Sequence, residues 1–147
     1  MSETLKNIAK SFIGESVAAS KYMLFAEIAE KEGFTEAEKA FIKTAEQEKT
    51  HAKIHYKLLN QLAGKEGFKE LKVEVKLPTD LGSTFKNIDM AVNGEVYEFK
   101  EMYPYFAKTA KDEGYTDIAV KFLALARAEE GHAEKYKALL RKLRDRE

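Results

Sequence analysis

Two stretches of the chain spell Glu-x-x-His, Glu48-Lys49-Thr50-His51 and Glu129-Glu130-Gly131-His132, and they use two of its three histidines. On a helix, residues three apart differ by about 300°, so they leave the same face one turn apart. A carboxylate oxygen and an imidazole nitrogen placed that way can converge on one metal ion. Two further acids each follow a glycine, Gly14-Glu15 and Gly94-Glu95, and another, Glu98, stands three residues beyond Glu95. The chain has no cysteine, which excludes thiolate zinc sites, iron–sulfur clusters and thiol nucleophiles. A Glu from each of two helices, joined by Glu-x-x-His from each of two others, is the donor set of a di-iron or di-manganese carboxylate centre. Five inward carboxylates would be costly unpaired, whereas two divalent ions set +4 against −5. Oxygen and nitrogen donors suit iron or manganese, and zinc or cobalt would also bind.

The elements that must position these residues are visible as an internal repeat. A shift of 81 residues superposes Phe25-Ala26 on Phe106-Ala107, Gly33 on Gly114, Thr35 on Thr116, Glu48 on Glu129, His51 on His132 and Leu58-Leu59 on Leu139-Leu140. Each copy reads as two amphipathic helices around a short break, giving helices over about 3–31, 36–63, 84–112 and 116–144. In the breaks the glycine suits a helix end and the threonine an N-cap, and Thr35 with Glu38 spells a capping box. The chain is therefore expected to be all-α, a four-helix bundle of two hairpins, 3–63 and 84–144, joined by one long crossover, 64–83. A bundle with one long crossover is of the ferritin-like type. The alternating Val73, Val75 and Leu77 within the crossover read either as an extended strap or as a short strand that pairs with a second chain, and exchange of hairpins between two chains is sterically open.

The repeat slips at one place. Glu15 and Glu95 are 80 apart, while Tyr22 and Tyr103 are again 81 apart, so the third helix carries one extra residue between Glu95 and Tyr103. An added residue in a continuous helix predicts a π-bulge, which would swing Glu98 towards the metals as a further ligand. Pro104, lacking an N–H, adds irregularity there. The small Gly14 and Gly94 are expected to let helices approach closely.

The remaining residues bound the reading. A length of 147 residues suits one domain, and the balance of 25 basic against 25 acidic residues gives nucleic acid or an anionic membrane nothing to attract. No apolar run is long enough to span a membrane, and the first residues lack a signal-like apolar stretch, so a cytoplasmic protein is expected. Phe12, Phe25, Phe41, Phe106 and Phe122 fall at helical spacings and read as core. Tyr22 and Tyr103 read equally as core aromatics or as hydroxyls serving the carboxylates. His55, four residues after His51, has Tyr136 as its repeat mate and is expected at the surface or behind the ligands. Glu46 and Glu130 belong to a solvated face.

Taken together, Gly14-Glu15-Ser16 with Tyr22, Glu48-x-x-His51, Gly94-Glu95-x-x-Glu98 with Met102-Tyr103-Pro104, and Glu129-x-x-His132 resemble the rubrerythrin family over nearly the whole chain. The resemblance implies two iron ions, with manganese, zinc or mixed iron–zinc occupancy as variants. Their implied ligands are Glu15, Glu48, Glu95, Glu98, Glu129 and His132, with Glu48 and Glu129 bridging. It further implies that His51 exchanges with Glu98 at one iron on reduction, and that Tyr22 and Tyr103 hydrogen-bond ligand carboxylates. Glu98, His51, Tyr22 and Tyr103 are thereby the residues expected to take part in the reaction. The usual family member adds a rubredoxin module with four cysteines, and this chain resembles the short single-domain erythrin or sulerythrin type. The implied function is a non-haem di-iron peroxidase that reduces hydrogen peroxide to water with electrons from an external, rubredoxin-like donor. The implied assembly is a homodimer, with exchange through 64–83 open. Ferroxidase or iron-handling activity and a dioxygen-using oxidase are the alternatives.

Overall fold

The structure, a computed structural model, describes residues 1–146. Helix α1 spans Glu3–Lys31 and α2 spans Thr35–Glu66; α3 covers Thr84–Tyr97, a π-helical segment covers Glu98–Met102, α4 covers Tyr103–Asp112, and α5 covers Thr116–Asp145. The α3, π and α4 segments follow one another without a break and act as one rod. The irregular ladder expected between residues 95 and 103 is therefore present.

Both hairpin turns are made the same way. Gly33 and Gly114 adopt φ of 83° and 87°, a left-handed conformation natural to glycine. The next residue then closes back on the preceding helix, Phe34 N–H to Ala29 O and Tyr115 N–H to Ala110 O, each at 2.8 Å. So tight a turn leaves no residue spare. Phe34 and Tyr115 occupy the N-cap positions without a side-chain hydrogen bond, and Thr35 and Thr116 lie inside the helices. The expected capping box of Thr35 and Glu38 is consequently not formed.

Helix α2 runs three residues past its expected end, to Glu66, before Gly67 terminates it at φ 84°. A tertiary anchor holds the added turn: the Glu66 carboxylate accepts from Ser2 N–H (2.8 Å), the Ser2 hydroxyl (2.6 Å) and the Tyr115 hydroxyl (3.1 Å). Beyond it, residues 68–83 contain no strand, and Val75, Leu77 and Leu81 are exposed. The alternating patch is thus an extended strap. Gly14 and Gly94 also differ from expectation: both are exposed, and a Cβ at either would meet nothing within 4 Å, so neither serves a close helix approach.

The core is split in two. Tyr22, Phe25 and Ala29 from late α1 cluster with Phe41 from early α2, Ile88 from early α3, and Tyr136 with Leu140 from late α5. Leu5 and Ile8 cluster with Leu58 and Leu62, with Tyr103 and Phe106, and with Phe122. Each cluster fills one end of the bundle. It follows that α1 and α5 run one way and the other two rods run the opposite way, so the strap must travel the length of the bundle from Leu62 to Ile88. No helix is long and apolar enough to cross a membrane.

The hairpins are locked by exchanged caps. Glu113, at the second turn, accepts from the Thr4 N–H (2.7 Å), the Thr4 hydroxyl and the Glu3 N–H (3.0 Å). Its repeat mate Glu32, at the first turn, accepts from the Thr84 N–H (2.7 Å) and hydroxyl (2.5 Å). Each hairpin therefore places a carboxylate on the positive end of the other hairpin's first helix. Bonds from Thr84 hold Glu32 below the usual carboxylate range; at Glu113 burial opposes, but the bonds from Thr4 and Glu3 prevail. Glu32→Ala and Glu113→Ala are each expected to lower the unfolding free energy by about 1 kcal/mol at pH 7. Because a lowered carboxyl pKa gives stability that is present above the unfolded value and lost as pH falls, the difference should shrink at pH 3. Urea unfolding of native and variant proteins at the two pH values checks this, and a gap as large at pH 3 would refute the assignment.

Candidate metal centre

Between the two apolar clusters the bundle turns polar. Glu15 from α1, Glu48 from α2, Glu95 from α3 and Glu129 from α5 face inward with 2, 0, 2 and 0 % of their surface exposed. They form two overlapping sets with the histidines: Glu15, Glu48, His51 and Glu129, and Glu48, Glu95, Glu129 and His132. Within each set one donor atom per residue lies within 4.8 Å of all the others. The repeat converts one set into the other, exchanging Glu15 with Glu95, Glu48 with Glu129 and His51 with His132. His51 Nδ1 stands 3.5 Å from Glu15 Oε2, 3.5 Å from Glu48 Oε1 and 3.2 Å from Glu129 Oε1. His132 Nδ1 stands 3.5 Å from Glu48 Oε1, 3.4 Å from Glu95 Oε1 and 3.8 Å from Glu129 Oε1. Glu48 and Glu129 thus each present one oxygen to both imidazoles and are common to the two sets.

Glu98, the first residue of the π segment, belongs to neither set. Its carboxyl lies beside that of Glu129, and its Oε2 is buried without a hydrogen-bond partner. The extra residue does bring it to the centre, beside a carboxylate that both sets share.

The donors fit metal ions and little else. Among the described residues, the buried side-chain atoms without a hydrogen-bond partner are Glu15 Oε2, both oxygens of Glu48 and of Glu129, Glu95 Oε2, Glu98 Oε2, and Nδ1 of His51 and His132, together with Ser11 Oγ and His55 Nδ1. Buried polar atoms are rarely left unpaired, so nine converging on one spot fit a site for cations. The protonation balance agrees. Burial, followed by the neighbouring carboxylates, pushes Glu48 and Glu129 far above the usual range. Burial pushes Glu98 up to about 8, with the charges of Glu15 and Glu95 adding and the adjacent Glu129 carboxyl opposing. Burial also opposes charge on Glu15, but the adjacent Glu48 carboxyl and His51 imidazole and the hydrogen bond from Tyr103 outweigh it and hold this group near 2. Without cations, the cluster tolerates its own acids only by keeping several protonated.

Each end of the bundle supplies one tyrosine hydroxyl. Tyr22 donates to Glu95 Oε1 at 2.8 Å and Tyr103 donates to Glu15 Oε1 at 2.7 Å. Both are also core residues, with 6 and 0 % exposure, so the two readings of these tyrosines hold together. Tyr22 lies parallel to Tyr136, centroids 5.9 Å apart, and at the other end Tyr103 lies over His55, the repeat mate of Tyr136, at 6.0 Å. His55 is wholly buried, which removes the surface option and leaves the place behind the ligands. Its Nε2 is 3.0 Å from the Tyr103 oxygen, and because that hydroxyl donates to Glu15, the histidine must donate to the hydroxyl. Burial holds the imidazole neutral, its pKa lowered to about 4. The spacing of four from His51, which shares its helix face, was the available signal. Gln47 went unforeseen: its Oε1 lies 2.8 Å from His132 Nε2, and nothing in the motif marks it. Glu46 and Glu130 are exposed as expected, and four of the five phenylalanines are buried, Phe12 only partly.

Comparisons with known proteins place this geometry. The rubrerythrin family profile matches residues 6–140. Rubrerythrin-1 of Clostridium acetobutylicum is 39% identical over 146 residues, covering 97% of this chain and 72% of that protein. The rubrerythrin of Porphyromonas gingivalis is 40% identical over 145 residues, covering 98% and 69%. Among solved structures, nigerythrin in a fully reduced, all-ferrous state superposes with a TM-score of 0.82 at 33% identity, covering 97% of this chain and 68% of that one. Symerythrin from Cyanophora paradoxa gives 0.78 at 27% identity, covering 92% and 82%. The ferritin-like bundle, the duplicated Glu-x-x-His and the buried groups able to hold a pair of iron ions all agree: the chain belongs to the rubrerythrin family.

Proposed function

We propose that the protein is a di-iron peroxidase that reduces hydrogen peroxide to water, with Glu15, Glu48, His51, Glu95, Glu98, Glu129 and His132 holding the metals. The observation that carries this is the sharing of Glu48 and Glu129 by two four-residue sets, which seats two cations side by side. Bound there, two ferrous ions supply the two electrons that O–O cleavage requires and stabilise the charge that develops on oxygen. The overall balance is one peroxide, two electrons and two protons to two waters. The chain's own residues provide the rest. Glu98, buried beside the shared Glu129, is the acid placed to exchange a proton at the centre. Tyr22 and Tyr103 fix the outer carboxylates Glu95 and Glu15, and the apolar clusters above and below exclude bulk water. With no cysteine in these residues, the restoring electrons come from a separate redox group, for which a rubredoxin-like protein is suited.

Anaerobic loading with two ferrous ions per chain, followed by stopped-flow absorbance, tests the reaction. Oxidation by peroxide is expected to outpace oxidation by dioxygen at least ~10-fold, with one peroxide consumed per two irons. Equal or faster oxidation by dioxygen would assign the protein to ferroxidases or oxidases instead.

Loading should also release protons, about three per chain at pH 7, because Glu48, Glu98 and Glu129 lose theirs on ligation. A pH indicator in weak buffer reads this directly. The sign for stability follows from the same groups. Carboxyls raised in the folded state bind protons that the unfolded chain has lost, so the metal-free protein should lose stability as pH rises from about 4.5 towards 8, while the loaded protein should not. Thermal midpoints at pH 5 and pH 8 that are equal for the metal-free protein would contradict this.

Removing the hydroxyl of Tyr103 leaves Glu15 Oε1 and His55 Nε2 unpaired. Tyr103→Phe is therefore expected to weaken metal binding by about 10–100-fold. Competition with a chelator measures it, and unchanged affinity would reduce Tyr103 to a packing role.

A further inference from the structure

The two halves of the centre carry matching carboxylates but not matching support for their histidines. His132 directs Nδ1 at the carboxylates and hydrogen-bonds through Nε2 to Gln47 Oε1 at 2.8 Å, so the amide oxygen accepts from Nε2–H and leaves the Nδ1 lone pair free for a metal. The repeat mate of Gln47 is Ala128, one residue before Glu129. An alanine has no acceptor to offer. Correspondingly, His51 has no hydrogen bond at Nε2 among the described residues, and its side chain is 12 % exposed against 7 % for His132. Three carboxylates serve each imidazole, Glu48 and Glu129 serve both, and Glu98 rests against the shared Glu129. The imidazole support is thus the clearest difference between the two sets.

We infer that Gln47 is a positioning residue that makes the centre fill in order, the first cation settling on the His132 side and the second on the His51 side. An imidazole whose far nitrogen is already bonded binds metal without losing rotational freedom and is a better donor. An unsupported imidazole must be ordered by the cation itself. The inference rests on the two-metal reading and adds to it an order and the residue that sets it.

The test uses Zn2+ as a diamagnetic probe. Metal-free protein labelled with 15N-histidine is titrated with Zn2+, the imidazole signals being assigned from His51→Gln and His55→Phe, while calorimetry gives the two affinities. In the native chain the His132 signals should shift during the first equivalent and those of His51 during the second. Gln47→Ala should weaken the first step about 10–100-fold and merge the two, and Gln47→Glu, which restores an acceptor, should recover the order. Ala128→Gln, which gives His51 the missing partner, should strengthen the second step, and it tests the inference independently if Gln47→Ala folds poorly. Two bound ions entering together, entering in the reverse order, or entering in an order that is the same in Gln47→Ala would overturn the inference alone. Fewer than two ions bound would overturn the two-metal reading and the inference with it.

Discussion

Five carboxyl groups inside a helical bundle repel one another and have left their water behind, and this penalty shapes the whole molecule. It is tolerable only if cations or protons neutralise the cluster, and only if the surrounding chain is stable enough to hold it. The division of the core follows from that need. Phe25, Phe41 and Tyr136 fill one end and Phe106, Phe122 and Leu62 fill the other, so apolar burial on both sides holds the four polar helix faces together at the middle. The aromatic residues at each end also lend the centre one hydroxyl, through Tyr22 above and Tyr103 below. Packing and chemistry are carried by the same side chains.

Much of this was legible before any coordinates, because the informative features are periodic. Glu-x-x-His occurring twice at a fixed interval specifies which faces of two helices look inward, and the turn glycines specify where the hairpins fold. The slip of one residue between Glu95 and Tyr103 was enough to place the π segment at Glu98–Met102. The failures arose from local turn closure, from outward-facing positions and from contacts that bridge elements distant in sequence. Thr35 reads as an N-cap locally, yet the backbone closes the turn one residue sooner. The sequence pattern ends the second helix at about residue 63, yet bonds from Ser2 and Tyr115 to Glu66 carry α2 past it. The positions of Gly14 and Gly94 imitate a packing motif while facing outward. Gln47 could not be read at all, since its partner lies 85 residues away and amides have no spacing rule.

The duplication is most informative where it is imperfect. Tyr22, Phe25, Phe41 and Tyr136 at one end correspond to Tyr103, Phe106, Phe122 and His55 at the other, one substitution in four. That substitution changes the wiring. Tyr136 turns its hydroxyl away, to Thr44 (2.5 Å) and the Ala40 carbonyl (3.2 Å), whereas His55 donates to Tyr103 and through it supports Glu15. The bulge at Glu98 and the amide at Gln47 are likewise present in one half only. Similar carboxylate shells thus sit in two electrostatically different surroundings.

The strap between Gly67 and Ser83 gives this asymmetry its physical basis. Two identical hairpins associating about a twofold axis could build the same ring of Glu and His residues, and even exchange the Glu32 and Glu113 contacts, since such an interface is self-complementary. Every residue in that assembly would occur twice. An extra acid would appear on both sides, a supporting amide would hold both imidazoles, and the two cations would be equivalent by symmetry. Joining the hairpins in one chain removes that obligation, so a substitution in one half can set the properties of one metal without touching those of the other.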